Sequence, residues 1–174
     1  MIQVKVKANN SALGALQDLP KAARLAVLNA HRSAVSELKK LAISETVSKY
    51  YLTKGQITKA MKSTPTGFKV SSGMLSLDKY KLTPKKRTKK YTLKGAVKRD
   101  SGLQPLGRNA FLMGTHPVSR LTKRRFPTKV ITGPSIAQAV GNDETGELLQ
   151  ERAEELFSAK VNEALARLGA VKRG

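Results

Sequence analysis

The residues best suited to chemistry in this sequence are cations, and they cluster in two segments. The stretch 83–99 carries eight Lys or Arg residues and no acid, and 119–125 is a second basic segment. Such side chains neutralise phosphate or carboxylate groups, so they indicate binding of an anionic partner. The residues predicted to contact that partner are Lys85, Lys86, Arg87, Lys89, Lys90, Lys94, Lys98, Arg99, Arg120, Lys123, Arg124 and Arg125.

The charge is also polarised along the chain. Residues 46–130 hold 21 Lys or Arg against two acids, in a chain whose net charge is +21. Solubility needs only a few charges, so this excess predicts a nucleic acid or an acidic protein surface as partner. The stretch 83–99 is also compatible with a solvated, mobile face. Without a helix-turn-helix, a zinc module or an aromatic stacking platform, any DNA contact is expected to be sequence-independent and to the backbone.

Catalytic and metal-binding patterns are weak by comparison. The two histidines, His31 and His116, are isolated, and the sequence has no cysteine, so no zinc-ligand spacing is present. A nuclease needs clustered carboxylates for its metal ions, and Asp78 and Asp100 are isolated. The glutamates within 147–155 could hold a hard cation, but a solvated or neighbour-binding face is the simpler interpretation. We predict that the protein is not an enzyme and uses no cofactor or metal.

Length and composition predict a single domain over 1–174. Hydrophobic residues make up 40% of the chain and aromatic residues 5%, which suits an aliphatic core. The absence of cysteine fits a reducing compartment. The N-terminus lacks the apolar run of a signal peptide, and no segment reaches the roughly 20 apolar residues of a spanning helix. We expect a soluble protein made in the cytoplasm, without a membrane partner.

The elements that position the cations begin with a strand and a long helix. Alternation over Ile2–Val6 predicts a strand, and 1–19 is assigned to this strand and a linker. Asp18 as N-cap with Pro20 in the first turn predicts a helix start. No Gly or Pro interrupts the chain from there to about Lys49, which predicts a helix of roughly 45 Å.

The helical region is predicted to span 20–62. An apolar stripe over 28–42 (Leu28, His31, Val35, Leu38, Ala42), broadened by Ala and Val side chains, indicates a central helix packed on two sides. His31 is expected to be a partly buried side chain on that stripe. Thr53 and Gln56 match a capping box, which predicts a short helix over about Lys54–Lys62.

Strands and basic loops are predicted over 63–134. Phe68–Ser71 and Leu75–Leu82 read as two strands of a hairpin around Gly73. The segment 83–99 is expected to be an extended basic loop between two strand ends, because a run of like charges does not fold alone. Ala110–Met113 is predicted as a brief buried strand.

Two helices are predicted over 135–174. Gly133-Pro134-Ser135 is interpreted as a cap for a short helix over Ile136–Val140. A last, acidic helix is expected over Glu144–Leu168, with Gly169 as its C-cap. The fold class is therefore α+β: a small antiparallel sheet packed against a long N-terminal helix and a C-terminal helix, with an extended basic loop.

Several of these segments, in this order, resemble the minor tail protein Z family of lambda-like tailed phages, a tail completion family. The first is the Ala-rich helix with the short helix after it, Lys21–Lys62. The second is the basic loop with its following strands, Lys81–Gly114, and the third is Arg124–Val140 with its Gly-Pro-Ser turn. The closing amphipathic helix completes the match, which covers roughly residues 20–170.

The resemblance implies structural work in a virion, without catalytic residues. Members of the family are expected at the head-proximal end of the tail, where they complete the tail, help join it to the head and seat the genome end. The implied assembly is a homo-oligomeric ring, sixfold in related proteins, contacting tail terminator, tube and neck (connector) proteins and the DNA end. The resemblance leaves both tail types, contractile and non-contractile, open. The alternative is a free, sequence-independent nucleic-acid-binding protein.

Overall fold

The computed structural model describes residues 2–5, 20–64, 67–86 and 91–171. The fold is α+β, as predicted. Its helices are α1 (Lys21–Lys49), α2 (Lys54–Ala60), α3 (Ile136–Val140) and α4 (Asp143–Val171). Its strands are β1 (Ile2–Lys5), β2 (Met61–Thr64), β3 (Gly67–Val70), β4 (Leu75–Ser76), β5 (Lys81–Thr83), β6 (Lys94–Ala96), β7 (Gln104–Pro105), β8 (Ala110–Met113), β9 (His116–Arg120), β10 (Thr128–Val130) and β11 (Thr132–Gly133).

The two long helices, α1 and α4, lie antiparallel. Lys49, at the end of α1, pairs with Glu144 at the start of α4, with 3.0 Å between Nζ and Oε2. Farther along the pair, Lys160 Nζ lies 2.9 Å from Glu37 Oε1. On its other sides α1 contacts α2, α3 and β3, so it is the central helix that its two apolar stripes predict.

The start of α1 and one position of its predicted apolar stripe differ from expectation. Helix α1 begins at Lys21 with Pro20 as N-cap residue and no side-chain cap, while Asp18 lies outside the described residues. Leu28 is 51% exposed, so its assignment to a buried stripe is wrong. Val27 and Ala30, which belong to the Ala and Val side chains predicted to broaden the stripe, are buried in this part of α1.

Helix α2 begins as predicted and ends two residues early. The capping box is present, with Gln56 N donating to Thr53 Oγ1 at 3.3 Å and Thr53 N donating to Gln56 Oε1 at 2.8 Å. Met61 leaves the helix and pairs with Val70 in antiparallel register. Helical propensity at two residues is worth only tenths of a kcal/mol, which burial of Met61 in the core outweighs.

Within the described part of the chain, the strands form four small antiparallel sheets rather than one: β1-β3-β2, β10-β9-β8, β11-β4 and β5-β6-β7. The predicted hairpin of 68–71 with 75–82 does not form, because β3 pairs with β1 and β2 instead. Strands β4 and β5 pair with β11 and β6. Strand β3 forms a hairpin with β2, the strand directly before it, and pairs on its other edge with the distant β1, while Phe68 and Val70 are 0% exposed in the core.

One hydrophobic cluster links the helices to the sheets. Phe68 and Ile57 are 0% exposed, and Leu38 of α1, Leu93 and Leu149 of α4 are nearly so. Leu93 belongs to the predicted basic segment, so that segment is anchored in the core by an apolar side chain. None of the described helices is both long and apolar enough to cross a membrane.

The C-terminal helices follow the prediction except at the last helix end. Ser135 Oγ accepts from Gln138 N at 3.1 Å and caps α3, which confirms the expected cap and short helix. Helix α4 starts one residue earlier than predicted and continues to Val171, so Gly169 does not end it. The long contact with α1 supplies the packing that carries the helix past this glycine.

Candidate interface for an anionic partner

The first basic segment leaves one small sheet and returns to it. Strand β5 ends at Thr83, and Lys94 opens β6 directly opposite Thr83, so the segment joins two strand ends as predicted. Lys85, Lys86 and Lys94 are exposed. Arg87, Lys89 and Lys90 lie outside the described residues. Lys85, Lys86 and Lys94 are therefore available to a partner.

Apolar and hydroxyl contacts anchor the C-terminal part of this segment. Leu93 is 1% exposed, and its carbonyl oxygen accepts from Leu106 N at 2.9 Å. The Tyr91 hydroxyl oxygen accepts from Leu112 N at 3.0 Å. Tyr91 thereby joins the basic segment to β8, which places the end of the segment beside the sheet of β8, β9 and β10.

Arg99 lies at the C-terminus of α1 and not on the loop. Its Nε donates to the carbonyl oxygens of Val47 at 2.9 Å and Tyr50 at 3.3 Å. Its main-chain N donates to Lys49 O at 2.9 Å. These carbonyls carry the partial negative charge of the helix terminus, so a guanidinium is favoured there. The Arg99 side chain, although exposed to solvent, is engaged with carbonyl groups of its own chain; Lys98 beside it is exposed as well.

The second basic segment lines a groove of about 1070 Å³, which we call the arginine groove. It lies along the sheet of β8, β9 and β10 and includes Tyr91 of the first basic segment. None of the described residues that line it is acidic. They are Tyr91, Arg108, Asn109, Ala110, Phe111, Leu112, Met113, Gly114, Arg120, Arg125, Phe126 and Thr128.

Two guanidinium groups in the groove lie over aromatic rings. Arg120 Cζ is 5.2 Å from the centroid of the Phe111 ring, and Arg125 Cζ is 5.7 Å from that of Phe126. An arginine on a ring face keeps its N–H donors free for phosphate or carboxylate oxygens. Phe126 is 62% exposed, so the groove offers a planar apolar face beside its cations.

Local pairing sets the path of the chain around this groove. Arg120 opposes Thr128 at the end of the β9–β10 ladder. Leu121 N donates to Pro127 O at 3.2 Å and closes the connecting turn. Lys123 and Arg124 lie in that turn, exposed, and are not among the groove's lining residues. Of the predicted contact residues in 119–125, the structure therefore brings Arg120 and Arg125 together.

Sequence reasoning missed the aromatic half of the groove and one of its cations. Arg108 was not among the predicted contact residues, and Tyr91, Phe111 and Phe126 come from three separate segments. No spacing rule joins residues so far apart, which is why the sequence alone does not indicate an aromatic platform. The one local signal is Phe126 directly after two arginines.

The acid expected to be isolated, Asp78, has basic neighbours. Its carboxylate lies 3.2 Å from Lys79 Nζ and 3.5 Å from His116 Nδ1. Burial acts to raise the pKa of Asp78, but the neighbouring Ser76 hydroxyl, Lys79 ammonium and His116 ring favour the charged carboxylate more strongly and hold the pKa below its usual value. Asp78 therefore acts as a counter-ion within its own chain.

The other titratable groups that the structure describes include His31 on α1. His31 packs edge-to-face on Phe157 with ring centroids 5.7 Å apart, and burial lowers its pKa, so it is the partly buried residue predicted. Across the described ranges, no group of three or more His, Asp or Glu side chains is arranged to hold a metal ion. The basic groove is thus the chemically most developed surface described.

Comparison with protein-family models, curated proteins and solved structures finds no match. The geometry itself describes an α+β chain that carries an acid-free, aromatic-lined arginine groove next to an exposed basic segment.

Proposed function

We propose that this protein is a structural component of a phage virion, at the head-proximal end or neck of the tail. In this role it completes the tail, helps to join tail to head and positions the end of the genome. The order of segments over roughly 20–170 supports this assignment, because it resembles the tail completion family.

The observation that carries the proposal is the arginine groove. Three arginines, Arg108, Arg120 and Arg125, line it without an acidic residue among the lining. Uncompensated cations in one groove repel one another, and an anionic partner removes that repulsion. The exposed Lys85 and Lys86 extend the positive surface.

A ring would multiply this charge. If each copy presents its basic segment and groove in the same direction, the fields of all copies add at the ring axis or at its rim. A lumen lined this way holds a DNA end, and a rim lined this way binds acidic neighbours such as the tube, terminator or connector proteins. The proposal places the protein in the virion, after synthesis in the host cytoplasm, and assigns it no catalytic step.

Cryo-EM of tailed particles that contain the protein tests this directly. The expected result is a ring of copies between tail tube and neck, sixfold in the simplest case, with the arginine groove against DNA or an acidic neighbour. Absence of the protein from purified particles overturns the virion role.

Charge neutralisation tests the groove separately from assembly. The double variant Arg120→Gln and Arg125→Gln removes two groove cations, and a loop variant removes Lys85 and Lys86. We expect particles that assemble but deliver DNA poorly, or particles that stall before head joining. The control variant, Lys40→Gln with Lys54→Gln, removes two exposed charges elsewhere and should behave as wild type.

One observation favours the alternative, a free nucleic-acid-binding protein: the groove combines exposed Phe126 with arginines, a pairing that suits stacked bases and phosphates. Fluorescence anisotropy with duplex and single-stranded DNA measures it. Tight binding by the isolated monomer at physiological salt, with a salt slope reduced by about 2 in the double arginine variant, supports this alternative over the virion role.

A further inference from the structure

A second groove of about 830 Å³ lies on a different surface, between α2, the β2–β3 hairpin and the chain that follows it. Four lysines line it: Lys59, Lys62, Lys69 and Lys79. None of them is among the cations that the sequence predicts as contacts. We call this the lysine groove.

Two of these lysines lie directly opposite each other, so their like charges repel. Lys62 of β2 lies directly opposite Lys69 of β3 in the antiparallel ladder. Directly opposed side chains have Cβ atoms about 5 Å apart, and like charges at this position destabilise a hairpin. Lys59, Lys62 and Lys69 make no ion pair with any residue in the described part of the chain. An anionic group from outside the chain would relieve this repulsion.

Apolar side chains line the groove beside the lysines, together with Gln56, Ser71 and Ser72, and they narrow the kind of occupant. Met74 is 73% exposed at its edge, and Leu75 and Ile136 also line it. A bare phosphate backbone offers little to such a surface, whereas an amphipathic helix offers carboxylates on apolar stems. The groove therefore fits an acidic helix better than a nucleic acid.

The chain itself carries such a helix. Glu147, Glu151 and Glu154 of α4 are exposed and follow one another at intervals of four and three residues, so they lie on one face. They span about 10 Å along the helix axis. None of the three forms an ion pair within the described residues, although Glu144, Glu155 and Glu163 do. We call these three residues the acidic stripe.

We propose that the acidic stripe of α4 docks into the lysine groove of a second copy of this chain. The donor and acceptor surfaces differ, so the contact is head-to-tail and repeats from copy to copy until a ring closes or a filament grows. The contact deepens the ring of the proposed function and rests on it, and it leaves the arginine groove free for DNA or neighbours.

A single charge reversal distinguishes loss of the contact between copies from destabilisation of the fold. In the Lys62→Glu variant a glutamate faces Lys69, so the hairpin gains a cross-strand ion pair and the midpoint of thermal unfolding should rise. The same variant should weaken self-association by about tenfold or more in sedimentation velocity, because the groove loses its complementary charge. Lys40→Glu, an exposed reversal on α1, is the matched control and should change neither quantity.

Reversing the charges of the two surfaces in separate variants provides a second test of the contact. Glu147→Lys with Glu151→Lys should abolish self-association, as should Lys59→Glu with Lys62→Glu. Mixing the two variants should restore a complex, since each supplies the surface that the other lacks. Circular dichroism checks that both fold, and restored association shows it independently.

Two results overturn the contact. If the wild-type chain sediments as a monomer at every concentration, or if both surface variants associate as wild type does, α4 does not occupy the lysine groove. The second result leaves a ring through another surface intact, so it does not overturn the proposed virion function. If Lys62→Glu loses binding of duplex DNA and keeps its self-association, a nucleic acid is the occupant and the contact between copies is overturned.

Discussion

Arg99 donates from Nε to the main-chain carbonyl oxygen of Val47 at 2.9 Å, at the C-terminal end of α1. This residue belongs by sequence to the most basic segment of the chain. By position it is a helix cap, and its guanidinium also lies 5.1 Å from the ring centroid of Tyr51. The basic segment is thus divided between cations that hold the fold and cations that are exposed to a partner.

Replacing Arg99 by Ala should therefore destabilise the fold more than it affects any binding. A hydrogen bond from a charged donor contributes about 1.5–3 kcal/mol, and solvent exposure reduces this, so we expect a loss of about 1.5 kcal/mol in urea unfolding. Lys98→Ala, which removes an exposed neighbouring charge, should change stability by less than about 0.5 kcal/mol. Equal stability of the two variants would contradict the capping role.

Phe68→Ala should be among the most destabilising single changes. The side chain belongs to β3 and is 0% exposed in the core, and phenylalanine truncation at such a site costs about 3–5 kcal/mol. The matched change Phe126→Ala removes a ring that is 62% exposed and should cost little. Chemical denaturation of both variants measures the difference, and similar losses would contradict the assigned core.

Gly133→Ala tests a close approach between chain segments. A Cβ at this position would lie 2.7 Å from Cε2 of Tyr80. The ring cannot yield easily, because the Tyr80 hydroxyl donates to Pro134 O at 2.6 Å. Overpacking of this kind costs about 1–3 kcal/mol. Gly73→Ala is the control, since nothing lies within 4 Å of its added Cβ. If the two variants unfold alike, the contact of Gly133 with Tyr80 is not tight.

Tyr80 should make stability depend on alkaline pH. Burial, with a smaller contribution from Tyr50, raises the pKa of Tyr80 to about 12. The unfolded chain releases this proton near its ordinary pKa of about 10, whereas the folded chain retains it. The stabilisation is therefore complete below pH 10 and is lost as the pH rises from about 10 to about 12. Urea unfolding across that range measures the slope.

The Tyr80→Phe variant is the control for this slope. It loses the hydrogen bond to Pro134 and should be less stable at neutral pH by about 1 kcal/mol. Its free energy of unfolding should fall less steeply above pH 10, because it has no hydroxyl proton to release at this site. An unchanged slope would assign the alkaline loss to other groups.

The elements of the fold follow from local sequence because their signals are local. Both capping boxes join residues three positions apart, Thr53 with Gln56 and Ser135 with Gln138, and both are present. The absence of Gly and Pro after Pro20 predicted α1 to within one residue at each end. A predicted helix boundary was wrong where a strand pairing competed with helix formation. At Met61, antiparallel pairing with Val70 ends α2 early.

The net charge of this protein could be predicted from the sequence, because it is a sum over residues and does not depend on their positions in the fold. Local patterns in the sequence were enough to predict the α+β class, the long helices, a basic segment between two strand ends and the excess of positive charge. The strand partners, the capping role of Arg99 and the two grooves could be recognised only in the folded structure. Those features join residues far apart in the chain, such as Tyr91 and Leu112 at a separation of 21 residues. Such contacts depend on how whole helices and strands pack, and a local sequence pattern does not predict that packing.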